Sequence, residues 1–410
     1  MKPLKGIKVL EFSQALSGPF CGMMLADMGA EVIKLERPPL GDPARYNAPG
    51  IKGITPTYSE RNRGKKSIYM DLGDQKQREF FLKMAETADI VLENFKPGTL
   101  EKFGCDYEAL KKINPGIIVT SISGFGQTGP MRRRAAYDVS IQAESGLISI
   151  TGTKAGELVS VGYSVTDTIA GLTAFGATLS ALYSRIATGE GQYVDISMQD
   201  SVIATMEVPF GGYALTGKVA GPLGIAHPLA APFSIFDTSD GGKILICVNS
   251  EAQWARMCEI MEKPEWTADP RFLNSSMRKA NEEELMREMT PLIQKWTEED
   301  LVSALEEKGI AYGRVNTVDK VMNSEQFQAR SMLCRVNYPD TDTSVNVINS
   351  AVTMSGFKKE SEYTAYPVGY HTISECSEYM GEEKAHEIYD ELLQKYAADV
   401  KKAQEKAGVV

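Results

Sequence analysis

Histidine is scarce in this sequence, and its cysteines are scattered. The 410 residues include 3 histidines and 6 cysteines, with no CxxC pair. Zinc sites and most other metal centres draw their ligands from closely spaced residues of these types, so we expect no metal site. Isolated cysteines also argue against a disulfide framework and are typical of reduced thiols in a cytoplasmic protein.

Positively charged residues are also fewer than negatively charged ones. The sequence has 44 Lys and Arg against 54 Asp and Glu, which gives a formal net charge of −10. Proteins that bind nucleic acids neutralise phosphates with clustered positive charge. We therefore expect no nucleic-acid partner.

Long hydrophobic runs are also missing. Residues 1–6 contain no apolar leader and continue directly into a strand pattern, which predicts no secretory signal. The most apolar long stretch, 168–187, contains Arg185 and several hydroxyl residues. A membrane-spanning helix needs about 20 predominantly apolar residues, so this stretch is a poor candidate. We expect a cytoplasmic protein without a membrane partner.

The first half of the sequence alternates strand and helix patterns. Strand patterns at 7–12 and 31–35 flank a helix pattern at 19–28, and such a βαβ unit implies parallel pairing. The pattern continues with predicted strands at 67–72, 89–93, 116–122 and 193–197, and with predicted helices at 75–88, 100–113 and 167–188. This regular alternation predicts an α/β fold with a doubly wound sheet.

The composition changes at 217–232, which is rich in Gly, Pro and Ala. All three tryptophans lie in the region that follows and indicate a separate small core. We predict that residues 1–217 form the first part of a large domain and that 218–315 form a small α+β domain. Residues 316–410 would then be a return linker and the C-terminal part of the large domain.

The segment 124–129 matches the pattern GxGxxG after a predicted strand. A dinucleotide site would require a helix to open there, with an acidic residue at the end of the next strand. Pro130 and the arginines at 132–134 follow instead, so a turn of flexible glycines is favoured over NAD binding. The arginines are either a solvated run or a site for a phosphate.

Asp167 begins the predicted helix at 167–188. One interpretation is a helix N-cap, a position that Asp favours. The other uses the same geometry, because the positive end of a helix stabilises a carboxylate and keeps it ionised. Such a carboxylate, next to small residues, could attack a bulky electrophile.

Three segments follow predicted strands, and ligands of open α/β sheets bind beyond the carboxyl ends of the strands. They are 14–19, 36–38 and 93–98. Each segment alone is weak evidence, since any βα turn occupies such a place. Together they predict a crevice along one edge of the sheet.

Motifs along nearly the whole sequence resemble those of the class III CoA-transferases, the CaiB/BaiF type that includes formyl-CoA:oxalate and carnitine CoA-transferases. The matching motifs include LKGIKVLEFSQALSGPF, ADMGAEVIKLERPPLGDPAR, NRGKKSIYMDL, ADIVLENFKPGTLEKFG, NPGIIVTSISGFGQTGP, YDVSIQAESG, SVTDTIAGLTA and TGEGQYVDISMQDSV. The resemblance implies a Rossmann-like large domain formed by both chain ends and an inserted small α+β domain. It also implies an interlocked homodimer.

The resemblance implies a role for Asp167 as the nucleophile of a CoA transfer from an acyl-CoA to a small carboxylic acid. Coenzyme A is then a substrate, and no tightly bound cofactor is expected. Residues implied to contact CoA are Ala15, Leu16, Arg37, Met70, Asn94, Phe95, Lys102, Tyr137 and Asp138. Ala135 stands where relatives carry a lysine, and Arg134 could substitute for it.

Other functions remain open at this point. An acyl-CoA racemase or epimerase of the same fold needs two bases at the α-carbon, and racemases carry a histidine where this sequence has Tyr137. A phenol with a pKa of about 10 is a poor proton shuttle near neutral pH. A noncatalytic acyl-CoA-binding protein is a further alternative, against which the presence of Asp167 argues.

Overall fold

The computed structural model describes residues 1–47, 55–339 and 341–407, with side chains described through 397 and at 399. The chain forms two compact units. The large unit comprises 1–147, 161–210 and the chain from 328 onward, and the small unit comprises 148–160 and 211–327.

The strands are β1 Lys8–Glu11, β2 Glu31–Glu36, β3 Lys66–Tyr69, β4 Ile90–Glu93, β5 Ile118–Ser123, β6 Tyr193–Ser197, β7 Phe233–Asp237, β8 Lys243–Cys247, β9 Ala311–Arg314, β10 Leu333–Asn337, β11 Ser344–Ile348 and β12 Glu362–Thr364. The helices are α1 Ser17–Asp27, α2 Pro56–Asn62, α3 Gln75–Ala85, α4 Thr99–Lys102, α5 Tyr107–Ile113, α6 Asp138–Glu144, α7 Leu147–Ile150, α8 Val165–Thr188, α9 Met198–Ile203, α10 Glu207–Thr216, α11 Glu251–Ile260, α12 Ser275–Ala280, α13 Glu282–Ile293, α14 Glu298–Glu307, α15 Val318–Met322, α16 Glu325–Ala329, α17 Thr372–Met380 and α18 Glu382–Ala407.

The large unit is built on a six-stranded parallel sheet in the order β3-β2-β1-β4-β5-β6. The strand order reverses between β1 and β4, because the chain first winds outward to β3 and then returns past β1. In open α/β sheets, ligands bind beyond the carboxyl edge at such a reversal of the strand order. The α/β fold and the parallel sheet predicted from the sequence are confirmed.

Both faces of this sheet are covered. Alternate residues of a strand point to opposite faces, so Val9 and Leu10 enter two different hydrophobic clusters. The Val9 face packs against α1 and α8, and the Leu10 face packs against α3 and α5. Cys376 of α17 and Ile388 of α18 join the Leu10 cluster, so the C-terminal part of the chain contributes to the core of the large unit.

Helix α8 is long and apolar enough to cross a membrane, by length and composition only. It packs against α1 and against the face of the sheet at β5 and β6. Thr178 of α8 shares a hydrogen bond of 2.8 Å with Thr120 of β5, and Ala170 and Ala174 are fully buried. The core helix of a globular protein passes the same test of length and composition.

The small unit contains the antiparallel sheet β7-β8-β9. Its hydrophobic core includes Trp254 and Trp266, whose stacked rings lie 6.3 Å apart, with Trp296 packed at the margin. The tryptophans therefore share a core of their own, as their clustering in the sequence predicts.

Two details differ from the sequence-based expectations. The predicted helix at 100–113 is two short helices, α4 and α5, because Gly104 adopts a left-handed φ of 65° and Asp106 starts a new helix by accepting a hydrogen bond from Ala109 N. The small unit begins at 211, ends at 327 and includes 148–160, whereas the predicted small domain runs from 218 to 315.

Candidate active site

The site is built around the crevice between the loops that follow β1 and β4. The backbone N–H of Gln14 donates to Asn94 Oδ1 at 2.8 Å, and Asn94 Nδ2 donates to the carbonyl of Gln14 at 2.8 Å. These reciprocal bonds fix the two loops to each other. The predicted contact residues Ala15, Leu16 and Asn94 therefore lie together at the point where the strand order reverses.

Ser17 connects this crevice to Asp167. Asn94 Nδ2 lies 3.3 Å from Ser17 Oγ, and hydrogen bonding from the hydroxyl and the backbone N–H of Ser17 acts to lower the pKa of the Asp167 carboxyl. Ser17 is the first residue of α1, so the carboxylate also faces the positive end of that helix. Gly171 permits this approach, because a Cβ there would lie 2.8 Å from the carbonyl oxygen of Ser17.

Asp167 is not the N-cap of α8. Ser164 occupies that position, and Asp167 is the third residue of the helix, half-buried. Burial and the Asp138 charge raise the pKa of its carboxyl to about 6, although hydrogen bonds from Ser17 and the charge of Arg61 oppose the shift. Desolvation therefore outweighs the stabilisation of the anion, yet the carboxyl is still largely ionised near neutral pH.

Asp138, the first residue of α6, accepts hydrogen bonds from the start of α8. Its Oδ1 accepts hydrogen bonds from the Thr166 backbone N–H at 2.7 Å, from Thr166 Oγ1 at 2.8 Å and from the Asp167 N–H at 3.3 Å. Gln142 Nε2 donates to its Oδ2 at 2.6 Å. The carboxylate of this predicted CoA contact thus holds the helix that carries Asp167.

A second group of charged residues lies at the same edge of the sheet and is fully buried. Lys34 and Lys65 contact the carboxylate of Glu11 at 3.1 and 2.8 Å, and Lys34 also contacts Asp42 at 2.9 Å. We call these four residues the paired cluster. Gly22 of α1 makes room for it, because a Cβ there would lie 1.9 Å from Glu11 Oε2.

The charges of the paired cluster shift one another's pKa values. Burial and the nearby Lys34 charge lower the pKa of Lys65 to about 8, although Glu11 opposes this shift. Burial acts to raise the pKa of Asp42, but its Lys34 ion pair and the backbone N–H donors outweigh that effect and lower it. Asp42 Oδ1 accepts from Ala15 N at 3.0 Å, so the cluster supports the loop of the crevice directly.

The remaining predicted CoA contacts differ in their exposure. Arg37 directly follows β2 and is exposed, with no ion pair within 4 Å among the described residues. Lys102 ends α4 and is exposed, while Phe95 packs its ring 5.9 Å from that of Phe12. Met70 is buried in the hydrophobic core of the large unit, with 3% of its surface exposed.

Arg134 and Tyr137 precede α6. The guanidinium of Arg134 pairs with Glu144 at 2.5 Å. The Tyr137 side chain is 81% exposed, and its backbone N–H is bonded to Ser140 Oγ. The 124–129 segment consists of bends after β5, and the next helix, α6, begins only at Asp138. The favoured interpretation as a glycine turn is therefore confirmed.

Sequence reasoning missed two residues of the site. Ser17 lies inside a motif that was recognised, but only the fold brings it to Asp167. Arg61, in the last turn of α2, places Nη1 3.5 Å from the Ala15 carbonyl, and its charge acts on Asp167. No sequence signal distinguishes Arg61, because it lies among other charged residues in SERNRGKKS.

The chemistry available here is that of a partly desolvated carboxylate beside a crevice. Over the described ranges 1–47, 55–339 and 341–407, no group of three or more His, Cys, Asp or Glu side chains could hold a metal ion. Asp167 has a pKa close enough to neutral pH to be largely ionised there, yet it is more basic than an ordinary aspartate. Such a group is suited to nucleophilic attack on a carbonyl carbon.

Comparison with known proteins identifies the class. The family model described as CoA-transferase family III matches residues 4–372. This chain belongs to that family, and it is a CoA-transferase.

Curated relatives cover most of the sequence. The chain is 35% identical to succinyl-CoA:glutarate CoA-transferase of Mus musculus, over 91% of this chain and 85% of that protein. It is 37% identical to succinyl-CoA:mesaconate CoA-transferase of Haloarcula hispanica, over 87% of this chain and 91% of that protein. A crystal structure of a CaiB/BaiF family protein from Brucella suis matches with a TM-score of 0.79 and 33% identity, over 95% and 99% of the two chains.

Proposed function

We propose that the protein moves CoA from an acyl-CoA to a small carboxylic acid through covalent intermediates on Asp167. The observation that carries this proposal is the Asp167 carboxylate itself, held by Ser17 at the crevice with a pKa of about 6. Named relatives act on succinyl-CoA together with glutarate or mesaconate. We propose short dicarboxylic acids as the substrates here as well.

In the first half of the reaction, an oxygen of Asp167 attacks the thioester carbonyl of the donor. The carbon–sulfur bond breaks, which leaves an acyl-aspartyl anhydride and CoA thiolate. The thiolate then attacks the aspartyl carbonyl, the donor acid leaves as a carboxylate, and CoA remains on Asp167 as a thioester. Covalent catalysis of this kind replaces one difficult exchange with several easier steps.

In the second half, the acceptor carboxylate attacks the aspartyl thioester and releases the thiolate again. The resulting anhydride joins Asp167 to the acceptor. Thiolate attack on the acceptor carbonyl gives the new acyl-CoA and restores the Asp167 carboxylate. Donation from Ser17 supports this cycle, because it favours the charged form of Asp167 each time that form returns.

The test is an exchange assay with intermediate trapping. The purified protein is incubated with succinyl-CoA and a panel of acids, and new acyl-CoA products are followed by mass spectrometry. Hydroxylamine added during turnover should convert Asp167 to its hydroxamate, which peptide mass spectrometry locates. Exchange without modification at Asp167 would contradict the covalent route. Solvent deuterium at the α-carbon without CoA exchange would favour the racemase alternative.

We further propose that the active form is an interlocked cytoplasmic homodimer. Helix α10 supports this, because its apolar side chains Val208, Phe210, Tyr213 and Leu215 are exposed in the single chain. Exposed apolar surface of this kind is typical of association sites. Interlocked chains cannot separate without unfolding, so sedimentation at nanomolar concentration should show no compact species near 44.9 kDa.

A further inference from the structure

Arg61 is an unusual charged group for its place in the fold. It is half-buried in the last turn of α2, and among the described residues its side chain makes one hydrogen bond, a long contact of 3.5 Å to the carbonyl oxygen of Ala15. Among the described residues it has no ion pair within 4 Å. Partial burial of a charge without a partner costs free energy, so such a residue is expected to bind a ligand of opposite charge.

Three carboxylates act on the Arg61 guanidinium through their charges, those of Glu60, Asp167 and Asp42 in decreasing order of effect. Among the described residues none of them forms an ion pair with Arg61 within 4 Å. Asp42 pairs instead with Lys34 at 2.9 Å, and burial raises the pKa of the Glu60 carboxyl, so Glu60 compensates the Arg61 charge only in part. The Arg61 donors therefore remain available beside the Ala15 loop, within reach of the Asp167 charge.

The ligand that fits this position carries a carboxylate close to the reacting carbonyl. The sulfur of CoA is separated from its phosphates by the whole pantetheine arm, so a residue next to Asp167 faces the acyl group and not the nucleotide. A guanidinium presents two parallel N–H donors that match a carboxylate. We infer that Arg61 binds the distal carboxylate of a dicarboxylic substrate while the other carboxyl group reacts at Asp167. This inference rests on the proposed function and adds the residue that selects diacids.

The test compares acids of equal chain length. Glutarate and pentanoate differ only at the distal end, where the first has a carboxylate and the second a methyl group, and succinate and butanoate form a second pair. For each acid, kcat/KM is measured as acceptor with one fixed acyl-CoA donor. The variants are Arg61→Gln, which removes the charge, and Arg61→Lys, which keeps the charge and loses the planar fork. Arg287→Gln is the matched control, since Arg287 is 72% exposed on the small unit.

The wild-type protein should prefer the diacid of each pair, and Arg61→Gln should reduce that preference by roughly tenfold to a hundredfold. Arg61→Lys should reduce it by less, and Arg287→Gln should not alter it. Equal loss for diacid and monoacid would overturn the inference, because Arg61 would then act on the reacting carboxyl. A matching loss of CoA affinity in calorimetry would also overturn it, because Arg61 would then hold the nucleotide. Exchange with neither acid in the wild-type protein would instead overturn the proposed function itself.

Discussion

Two groups of charged side chains lie at the same edge of the large sheet and differ in how their charges are balanced. In the paired cluster, Glu11 is fully buried and is contacted by two ammonium groups within 3.1 Å. In the other group, which we call the reactive region, Asp167 lies beside Asp138, a like charge, while Arg61 has no ion pair among the described residues.

The difference shows which charges serve the fold and which are available to a substrate. Ion pairs inside the protein compensate the desolvation of Glu11. Its carboxylate is therefore already stabilised, and we do not expect it to react. The desolvation of the Asp167 charge is only partly compensated, and the raised pKa of its carboxyl reflects the remaining free-energy cost. Incomplete compensation of a charge is expected at an active site, where the charged group must remain able to form a bond.

The largest expected effect is on catalysis at Asp167. Asp167→Asn should lower the rate of CoA exchange by roughly a thousandfold or more, because the covalent nucleophile is lost. The change should cost little stability, because Asp167 is not the cap of α8 and burial disfavours its charged form in the folded protein. Asp106→Asn is the control, since it alters the start of α5. More than a tenth of wild-type turnover in Asp167→Asn would remove Asp167 from the nucleophile role.

The next effect is on folding at Glu11. Glu11→Gln should lower the free energy of unfolding by about 3–5 kcal/mol, because it leaves buried Lys34 and Lys65 without their shared partner. Urea denaturation at one fixed protein concentration measures this. Glu86→Gln should cost at most about 1 kcal/mol, since the ion pair of Glu86 with Lys83 is exposed. Equal values for the two variants would show that the paired cluster does not stabilise the fold.

A smaller effect is expected at the end of β2, where a paired charge and an exposed charge lie on adjacent residues. Glu36 is buried and paired with Arg45 at 2.6 Å, whereas Arg37 is exposed. Arg37→Ala should weaken CoA binding by about 1.5–3 kcal/mol, the value of a charge-assisted hydrogen bond, with a smaller effect on the chemical step. Calorimetry with CoA measures the affinity, and an unchanged value would make Arg37 an ordinary surface residue.

The smallest expected effect is a shift in pH dependence. Asp167 reacts as the anion, so kcat/KM should fall as the pH drops through about 6. Asp138→Asn keeps an acceptor oxygen for Thr166 and removes the neighbouring charge. The acidic limb of the profile should therefore move to lower pH, by up to about one unit. An unchanged pH profile would show that Asp138 only positions α8 and that its charge does not affect Asp167.

The parallel sheet was predictable because its signals are local, whereas the nucleophile role of Asp167 stays a prediction from family resemblance. Strand and helix patterns have fixed periods within short segments, and the motif around Asp167 is continuous in the sequence. Helix boundaries were less predictable: α4 and α5 separate at Gly104, whose left-handed conformation the sequence alone did not indicate. The positions of the CoA contacts and the homodimer remain predictions from family resemblance.

The tertiary structure alone decided how the charges are balanced. Asp138 lies 29 residues before Asp167, yet it accepts a hydrogen bond from the Asp167 backbone N–H, and Ser17 of the first helix acts on the Asp167 carboxylate. Desolvation and charge–charge interactions depend on distance in space, so no sequence pattern reports them. The sequence by itself determined the parallel sheet and the place of Asp167 at the start of a long helix. Packing of α1 and α6 against α8, and of α2 against α1, determined the charges that surround Asp167 and the pKa of its carboxyl.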